Sequence, residues 1–386
     1  MPLVAIPIEF PADVVELRAG DVDGDDIDEL LLIQRQRQGT RPDSVSFTIM
    51  NLDTSGTVED RWSLDLGNRA LFVDIESGLW GLAGDGVVRL DRHGIGTVLP
   101  TNTALADMGA STPTLADVFD DIEGDGTPEV VVALGPNARV ISVDGTERAN
   151  VTAPSRGELE LRTRVGSQLV TSSVSPSWQL DDFDGDGVKD LLLPDGATLT
   201  VFRLGGEDLP DQLDVALPLS VAPRRPDGAH EEGRVDRDVQ RAWLEDIDGD
   251  GRTDFLAQLW VTEGSWLDAE GELFFARGTG QGFAQSERIE SDEAILVVQL
   301  VDLDGDDDRD LVTAQVDFGV GNLARALLSR EVRIDLYLHE MKNGSLQTPV
   351  SLQEVLVPVG HDRDPAMDFT EDLTGDGLPD LVSNDG

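Results

Sequence analysis

A nine-residue, aspartate-rich string recurs six times along the chain and constrains its fold more than any other feature. The copies are DVDGDDIDE at 21–29, DIEGDGTPE at 121–129, DFDGDGVKD at 182–190, DIDGDGRTD at 246–254, DLDGDDDRD at 302–310 and DLTGDGLPD at 372–380. Each has acids at positions 1, 5 and 9, glycine at position 4 and apolar residues at position 2 and just after position 9. Position 6 is glycine or aspartate, which tolerate a left-handed backbone. The string therefore predicts a tight turn anchored in a core, because a solvated charge run would lack the apolar positions.

The spacing of the copies indicates a repeat architecture. They start at 21, 121, 182, 246, 302 and 372, so only the first interval is nearly double the others. Within it, 74–82 is a degenerate copy with Asp74 and Glu76 at positions 1 and 3, but Gly78 and Leu82 at positions 5 and 9. Counting this copy gives seven units. Repeats of this length are typical of propellers and solenoids, in which no unit buries its apolar face alone.

Short β-rich segments bounded by turns, such as KDLLLPDG and TLTVFRLGG, separate the copies. Four short strands per unit predict an all-β, seven-bladed β-propeller that forms a single domain over 1–386. The segment 223–238 is expected to be a long loop, and 320–330 a helix inserted into the sixth unit. The segment 3–10 is expected to be the outer strand of the last blade. The chain end supplies only the second strand of that blade, which is therefore expected to be incomplete, through truncation or closure by residues not included.

Composition narrows the function classes. The formal net charge is -47, with 76 acidic and 29 basic residues, so the chain attracts cations and repels nucleic acids. Cysteine is absent, which excludes disulfides and thiolate metal sites. No apolar run is long enough to span a membrane, and the N-terminal residues do not resemble a signal peptide.

The strings DFDGDGVKDLLL and DIDGDGRTDFL resemble the FG-GAP/VCBS repeat, the unit of the integrin alpha-chain propeller and of many bacterial surface proteins. The likeness covers almost the whole chain and is to the bacterial type. It implies a β-propeller whose loops bind calcium through positions 1, 3, 5, 7 and 9, with position 7 contributing its backbone carbonyl oxygen.

Calcium takes about six to eight oxygen ligands, including carboxylates and backbone carbonyls. A tight loop supplies them when alternate side chains turn inward, which accounts for the acids at positions 1, 3 and 5. The resemblance thus implies about six calcium sites. Their ligand residues are Asp21, Asp23, Asp25, Ile27 and Glu29; Asp121, Glu123, Asp125, Thr127 and Glu129; Asp182, Asp184, Asp186, Val188 and Asp190; Asp246, Asp248, Asp250, Arg252 and Asp254; Asp302, Asp304, Asp306, Asp308 and Asp310; and Asp372, Thr374, Asp376, Leu378 and Asp380.

A single copy of the string could equally be an aspartate-rich turn without metal, whereas six copies in register favour calcium. An EF-hand needs a twelve-residue loop between helices, which the acid at position 9 and the following strands exclude. The third, fourth and fifth copies have aspartate at positions 1, 3, 5 and 9 and are expected to bind most tightly. The glutamates of the first two copies are expected to fit calcium less well, and Thr374 is expected to weaken calcium binding in the last copy. The degenerate copy is expected to be metal-free.

The sequence favours a non-catalytic protein- or carbohydrate-binding or adhesion module in which calcium is structural. The weak calcium affinity of extracellular modules favours an extracellular, periplasmic or cell-surface location. The alternative is a carbohydrate-active enzyme, either a polysaccharide lyase or a hydrolase. The four histidines are scattered and no catalytic residue is assigned. Trp260 and Trp266 are the best candidates for an exposed sugar or protein contact, although core packing is the default expectation for both.

Overall fold

The computed structural model describes residues 14–22, 29–36, 44–52, 58–67, 71–75, 78–83, 86–100, 113–115, 119–125, 127–134, 137–142, 145–152, 157–162, 168–173, 178–205, 210–219, 235–263, 269–329, 331–358, 367–369 and 381–383. The fold is all-β, and its sheets have a six-bladed β-propeller arrangement. One helix occurs among the described residues. No helix in these ranges has the length and apolar character needed to cross a bilayer.

The first half of the chain contains three blades and a hairpin. Blade 1 is formed by β1 (Val14–Gly20), β2 (Glu29–Gln36), β3 (Ser44–Leu52) and β4 (Val58–Gly67). Blade 2 is formed by β5 (Leu71–Ile75), β6 (Leu79–Ala83), β7 (Gly86–Asp91), β8 (Gly94–Pro100) and β9 (Pro113–Leu115). Blade 3 is formed by β10 (Phe119–Asp120), β11 (Glu129–Leu134), β12 (Asn137–Ser142) and β13 (Glu147–Thr152). The hairpin pairs β14 (Gly157–Arg162) with β15 (Gln168–Ser173).

The second half contains the remaining blades. Blade 4 is formed by β16 (Gln179–Asp181), β17 (Asp190–Asp195), β18 (Thr198–Arg203) and β19 (Asp211–Ala216). Blade 5 is formed by β20 (Val235–Glu245), β21 (Asp254–Glu263), β22 (Glu270–Ala276) and β23 (Glu287–Ser291). Blade 6 contains β24 (Ala294–Val301), β25 (Asp310–Val316), the inserted α1 (Val320–Ser329), β26 (Glu331–His339), the hairpin of β27 (Met341–Lys342) and β28 (Ser345–Leu346), and β29 (Val350–Pro358). A two-stranded sheet of β30 (Met367–Phe369) and β31 (Leu381–Ser383) follows.

Each four-stranded blade is an antiparallel meander whose neighbouring strands follow one another along the chain, except that the β27–β28 hairpin lies between β26 and β29 in blade 6. Blade 2 also carries β9 in parallel beside β5. Apolar clusters fill the spaces between blades 1 and 2, 3 and 4, 4 and 5, and 5 and 6. Blades 2 and 3 meet where the rings of Trp80 and Phe119 lie 5.8 Å apart. Each blade therefore buries its faces against its sequence neighbours, which explains why one blade alone would be unstable.

The loops follow the predicted pattern. Loops 1 to 6 denote the six copies in chain order. Each described loop joins the first and second strands of a blade, and position 9 begins the second strand, as with Asp190 in β17 and Asp254 in β21. The residues after position 9 are buried, among them Leu191 and Phe255 with no exposed surface. The helix expected at 320–330 is confirmed as α1.

Other expectations from the sequence are corrected or are not tested by the structure. The predicted loop at 223–238 is wrong at its end, because Val235–Asp238 pair with Trp260–Glu263 as the start of β20. These polar residues pair with the end of the long strand β21 that lies farthest from loop 4, a position to which polar residues are suited. The count of seven blades is not confirmed. The segment 3–10 and loop 6 lie outside the described residues.

Replacement of Phe183 tests the apolar anchor at position 2 of the loops. Phe183 has no exposed surface and its ring meets that of Phe283 edge-on at 6.2 Å, between blades 4 and 5. We expect Phe183→Ala to lower the unfolding free energy by about 3–5 kcal/mol, because it removes a large buried side chain and leaves a cavity. Urea denaturation in calcium-containing buffer measures the change. The half-buried Leu303 at the same position of loop 5 is the matched control, and an equal loss in Leu303→Ala would contradict the prediction.

Candidate metal centres

The carboxylate at position 1 organises the backbone of loops 3, 4 and 5. Asp182 accepts hydrogen bonds from the amides of Gly185 and Gly187, both at 2.7 Å. Asp246 accepts the amides of positions 5 and 6 of loop 4, and Asp302 accepts those of positions 4, 5 and 6 of loop 5. The position-1 side chain therefore fixes the curved path on which the other acidic residues are carried.

Left-handed backbone occurs at positions 4 and 6, where the sequence predicts it. The φ angles are 79° at Gly185 and 87° at Gly187, and loop 4 is similar. In loop 5 they are 76° at Gly305 and 71° at Asp307. Glycine has no Cβ to clash in this conformation and aspartate tolerates it, so the residue types at both positions follow from the turn.

The acid at position 9 has a structural role that sequence reasoning missed. Asp254 accepts the amides of Ile247 at 3.1 Å and Gly278 at 2.6 Å. Asp310 accepts the amide of Met341 at 2.9 Å. The position-9 acids of loops 1 to 3, which also accept a hydrogen bond at the end of their third strand, are Glu29, Glu129 and Asp190. Position 9 thus ties each loop to the third strand of its own blade, and the sequence pattern alone assigned it only to the metal.

Three loops bring acidic side chains together. The groups consist of Asp182, Asp184 and Asp190 in loop 3, Asp246, Asp248 and Asp250 in loop 4, and Asp302, Asp304 and Asp306 in loop 5. Within each group, one carboxylate oxygen from every residue lies within 4.8 Å of the others. These distances are short enough for one cation to contact all three residues, and oxygen-only donors suit a hard divalent ion such as calcium.

Several of these oxygens are buried and accept no hydrogen bond from the part of the chain that the structure describes. They are Asp184 Oδ1, Asp190 Oδ2 and Asp248 Oδ1, and the same holds for Asp308 Oδ1 of loop 5, which lies outside the three groups; the other oxygen of Asp248 is ion-paired with Arg277. The side chain of Asp248 has no exposed surface, and Asp190 is 2% exposed. A buried carboxylate oxygen without a partner is costly unless a proton or a cation neutralises it. The residues present therefore fit a bound cation.

Burial also raises the pKa values of several loop aspartates. Burial raises the pKa of Asp190 and Asp254 to about 7, and the pKa of Asp310 to about 6. Burial also raises the pKa of Asp308 to about 7, with a further contribution from neighbouring Asp306. Without a cation these groups hold protons far more readily than an exposed aspartate, because burial and like charges disfavour the ionised form.

Basic side chains contact the acidic loops, and the sequence analysis did not foresee them. Arg203 Nε lies 3.0 Å from Asp184 Oδ2 in loop 3, and Arg277 is ion-paired with Asp248 in loop 4. Arg252, at position 7 of loop 4, also reaches Asp250, with Nη1 3.4 Å from Oδ2. A basic residue at the end of the third strand is a sequence signal that could have revealed the first two contacts.

Neighbouring loops are joined by main-chain hydrogen bonds. The position-8 amide of Lys189 donates to Ile122 O of the preceding loop at 3.0 Å. Thr253 donates in the same way to Asp182 O at 2.9 Å, and Arg309 donates to the preceding loop at 2.7 Å. The side chain of Lys189 adds an ion pair with Asp120, at 2.6 Å. Loops 2 to 5 therefore form a continuous band across blades 3 to 6.

Loops 1, 2 and 6 differ from these three. In loop 2, Asp121, Asp125 and Glu129 are described but do not form a comparable group with Glu123, which is ion-paired with Arg148 at 3.2 Å. In loop 1, Asp23, Asp25 and Ile27 lie outside the described residues, as do all five predicted ligands of loop 6. The calcium ligands predicted at these positions stay predictions.

The degenerate copy at 74–82 does not form a loop of this kind. Asp74 lies within β5, opposite Trp80 of β6, so this segment is a hairpin. The Asp74 carboxylate accepts the amides of Ile75 at 2.9 Å and Phe119 at 3.0 Å, and pairs with Arg18 at 3.3 Å. It therefore connects blades 1, 2 and 3.

Trp260 is not an exposed contact residue. Its Nε1 donates to Ile295 O at 2.7 Å, and its ring packs against Phe318 at 6.1 Å. These contacts place it between blades 5 and 6, in agreement with the default expectation. Trp266 lies outside the described residues.

Metal-free protein is expected to melt at a higher temperature at pH 5.5 than at pH 7.5. The pKa of Asp190 and of Asp254 is about 7 in the folded state, against about 3.9 in an unfolded chain. The folded state therefore binds more protons between these values, and this stabilisation is lost as the pH rises through 7. Thermal unfolding of protein passed over a chelating resin measures the effect.

The matched control concerns His339, whose pKa is shifted by burial in the opposite direction. The pKa of His339 is lowered to about 4, so its stabilising contribution is lost as the pH falls below about 6.5. A His339→Gln variant retains a hydrogen-bond partner for Thr313 and should show a larger gain in acid. A melting temperature that rises with pH over this range in both proteins would contradict the prediction.

Comparison with a solved lectin structure supports the architecture. No known family matches the sequence, and no characterised protein sequence matches it. A lectin from Agrocybe aegerita, described for its specific recognition of non-reducing terminal N-acetylglucosamine, is similar over 96% of this chain and 85% of its own, with 14% identity and a TM-score of 0.50. The WD40 domain of SCAP from fission yeast matches 98% of this chain and 96% of its own, at 10% identity and a TM-score of 0.36. Dihydro-heme d1 dehydrogenase NirN matches 89% of this chain and 67% of its own, at 12% identity and a TM-score of 0.34.

Proposed function

We propose that this chain is a calcium-binding β-propeller of the FG-GAP/VCBS type, in which calcium is structural and the propeller is a non-catalytic binding module. The observation that carries the proposal is the set of buried carboxylate oxygens without a hydrogen-bond partner in loops 3 and 4, each on a residue that is grouped with two other acids within 4.8 Å. Such groups gain most from a cation, because both burial and mutual repulsion oppose their ionisation.

The donor chemistry favours calcium over other common metals. The clustered side chains offer only carboxylate oxygens, whereas zinc sites generally use cysteine or histidine. Magnesium keeps several waters and is held by one or two carboxylates, whereas calcium accepts many protein oxygens in a flexible geometry. In loop 3 the ion would be held by Asp182, Asp184 and Asp190, with Asp186 and the carbonyl of Val188 completing the proposed set.

A seventh blade is part of the proposal. β30 and β31 flank residues 370–380, which contain loop 6, just as the first and second strands of a blade flank each of the other loops. β30 also lies against β24 of blade 6. These strands would then be the first two of the seventh blade.

The binding role is proposed from the fold and from the use of the acidic residues. The lectin with the same architecture is compatible with recognition of a protein or a glycan by this chain. The acids of loops 3 to 5 already serve as hydrogen-bond acceptors or proposed calcium ligands, so the proposal gives them no catalytic role. His339 is buried against Thr313. An extracellular, periplasmic or cell-surface location suits this role, since calcium modules of modest affinity are filled where calcium is near-millimolar.

Calcium binding is tested by native mass spectrometry and thermal melting. We expect about six bound ions and a melting temperature raised by more than about 10 °C over the chelated protein, because ion binding contributes directly to folding free energy. Asp184→Ala should lose one ion. Asp214→Ala changes an exposed aspartate of the same blade that bonds Thr200 and should lose none. An unchanged melt in excess chelator would contradict structural calcium.

The binding role is tested by a glycan array and a protein pull-down in calcium-containing buffer, together with assays on acidic polysaccharides. We expect binding that disappears with chelation, because the loops set the positions of the blades, and no turnover. Turnover that one substitution outside the loops abolishes would favour the enzyme instead.

A further inference from the structure

In two of the three loops with grouped acids, an arginine from the same blade contacts the aspartate at position 3. Arg203 contacts Asp184 at position 3 of loop 3, and Arg277 contacts Asp248 at position 3 of loop 4. Both arginines come from the end of the third strand, since Arg203 ends β18 and Arg277 follows β22. The same contact therefore recurs in two neighbouring blades.

The next blade covers each arginine with a glycine turn. Arg203 Nη2 donates to Gly280 O of blade 5 at 3.2 Å. In blade 6, a Cβ on Gly344 would lie 2.5 Å from Arg277 Cζ, so the guanidinium packs closely against this glycine. Gly280 and Gly344 have φ angles of 70° and 71°. Each arginine is thus held between the acid of its own loop and the backbone of its neighbour.

Loop 5 lacks this arrangement in the part of the chain that the structure describes. Lys342, in the hairpin after the third strand, is ion-paired with Glu340, and its charge acts on Asp304 without an ion pair between them. No ion pair joins Asp304, at position 3, to a basic residue among the described residues. Loop 5 also carries an additional acid, Asp308, whose Oδ1 is buried without a hydrogen-bond partner.

We propose that Arg203 and Arg277 compete with calcium for the position-3 aspartates and lower the calcium affinity of loops 3 and 4 relative to loop 5. This rests on the proposed calcium function. A guanidinium that neutralises a carboxylate reduces its attraction for a second cation, so calcium binds mainly to the open form, in which both oxygens of the aspartate are available. The apparent affinity is the affinity of the open form multiplied by the fraction of time that the pair is open. The arginine released by calcium also changes its contact with the next blade, which links occupancy to the interface between blades.

Calcium titration calorimetry and native mass spectrometry at graded calcium test the competition in Arg277→Met and Arg203→Met. Each variant should bind one ion about tenfold more tightly than the parent protein, as expected if the pair is open about one-tenth of the time. Arg288→Met is the matched control, because Arg288 pairs with buried Glu272 in blade 5 at 3.3 Å, away from the loop. It should leave every calcium affinity unchanged.

Thermal melting supplies the second readout. Without metal, Arg277→Met should melt below the parent protein, because Asp248 loses its counter-ion, and saturating calcium should remove most of that difference. Unchanged or weaker calcium binding in both arginine variants would overturn the competition while leaving calcium binding intact. A parent protein that takes up no calcium would overturn the proposed function as well. If Arg277→Met does not fold without metal, Arg203→Met decides the question in loop 3.

Discussion

The repulsion between carboxylates at the junction of the first and second strands is the constraint on which the rest of this structure depends. Each described loop turns the chain within nine residues; position 2 is buried in loops 1 to 4 and half-buried in loop 5, and loops 3 to 5 gather acids. Loop amides offset part of the cost, as at Asp182, and arginines offset another part, as at Asp184 and Asp248. The oxygens left without a partner are those on which the proposed calcium would act.

The loops also hold the blades together. Within a blade, position 9 joins the loop to the end of the third strand, as Asp254 does through Gly278. Between blades, position 8 donates to the preceding loop, as Thr253 does to Asp182. Because the apolar clusters also lie between blades, a change in one loop reaches both the core beneath it and the next loop. Ion binding at one loop would therefore stabilise more than its own blade.

Local features of the fold were predictable from the sequence, and tertiary ones were not. The turn positions followed from glycine and from the buried residue at position 2, since both are decided within nine residues. The fate of Asp74 was not predictable, because a hairpin in blade 2 replaces the loop and the carboxylate binds the amide of Phe119 instead. The ion pairs of Arg203 and Arg277 depend on strands packed far along the chain, so the local pattern of acids could not reveal them.

The number of acidic residues alone therefore does not predict how the electrostatic surroundings of the loops differ. Loops 3, 4 and 5 are equivalent in the aspartates at positions 1, 3, 5 and 9, yet their surroundings differ in charge. Loop 4 faces Arg252 and Arg277, and loop 3 faces Arg203, whereas Lys342 beside loop 5 is engaged by Glu340. Since the field at a site is the sum over all nearby charges, the basic residues differentiate loops that the acids make alike. A chain with 76 acidic and 29 basic residues thus places several of its few cations where they bear directly on the acidic clusters.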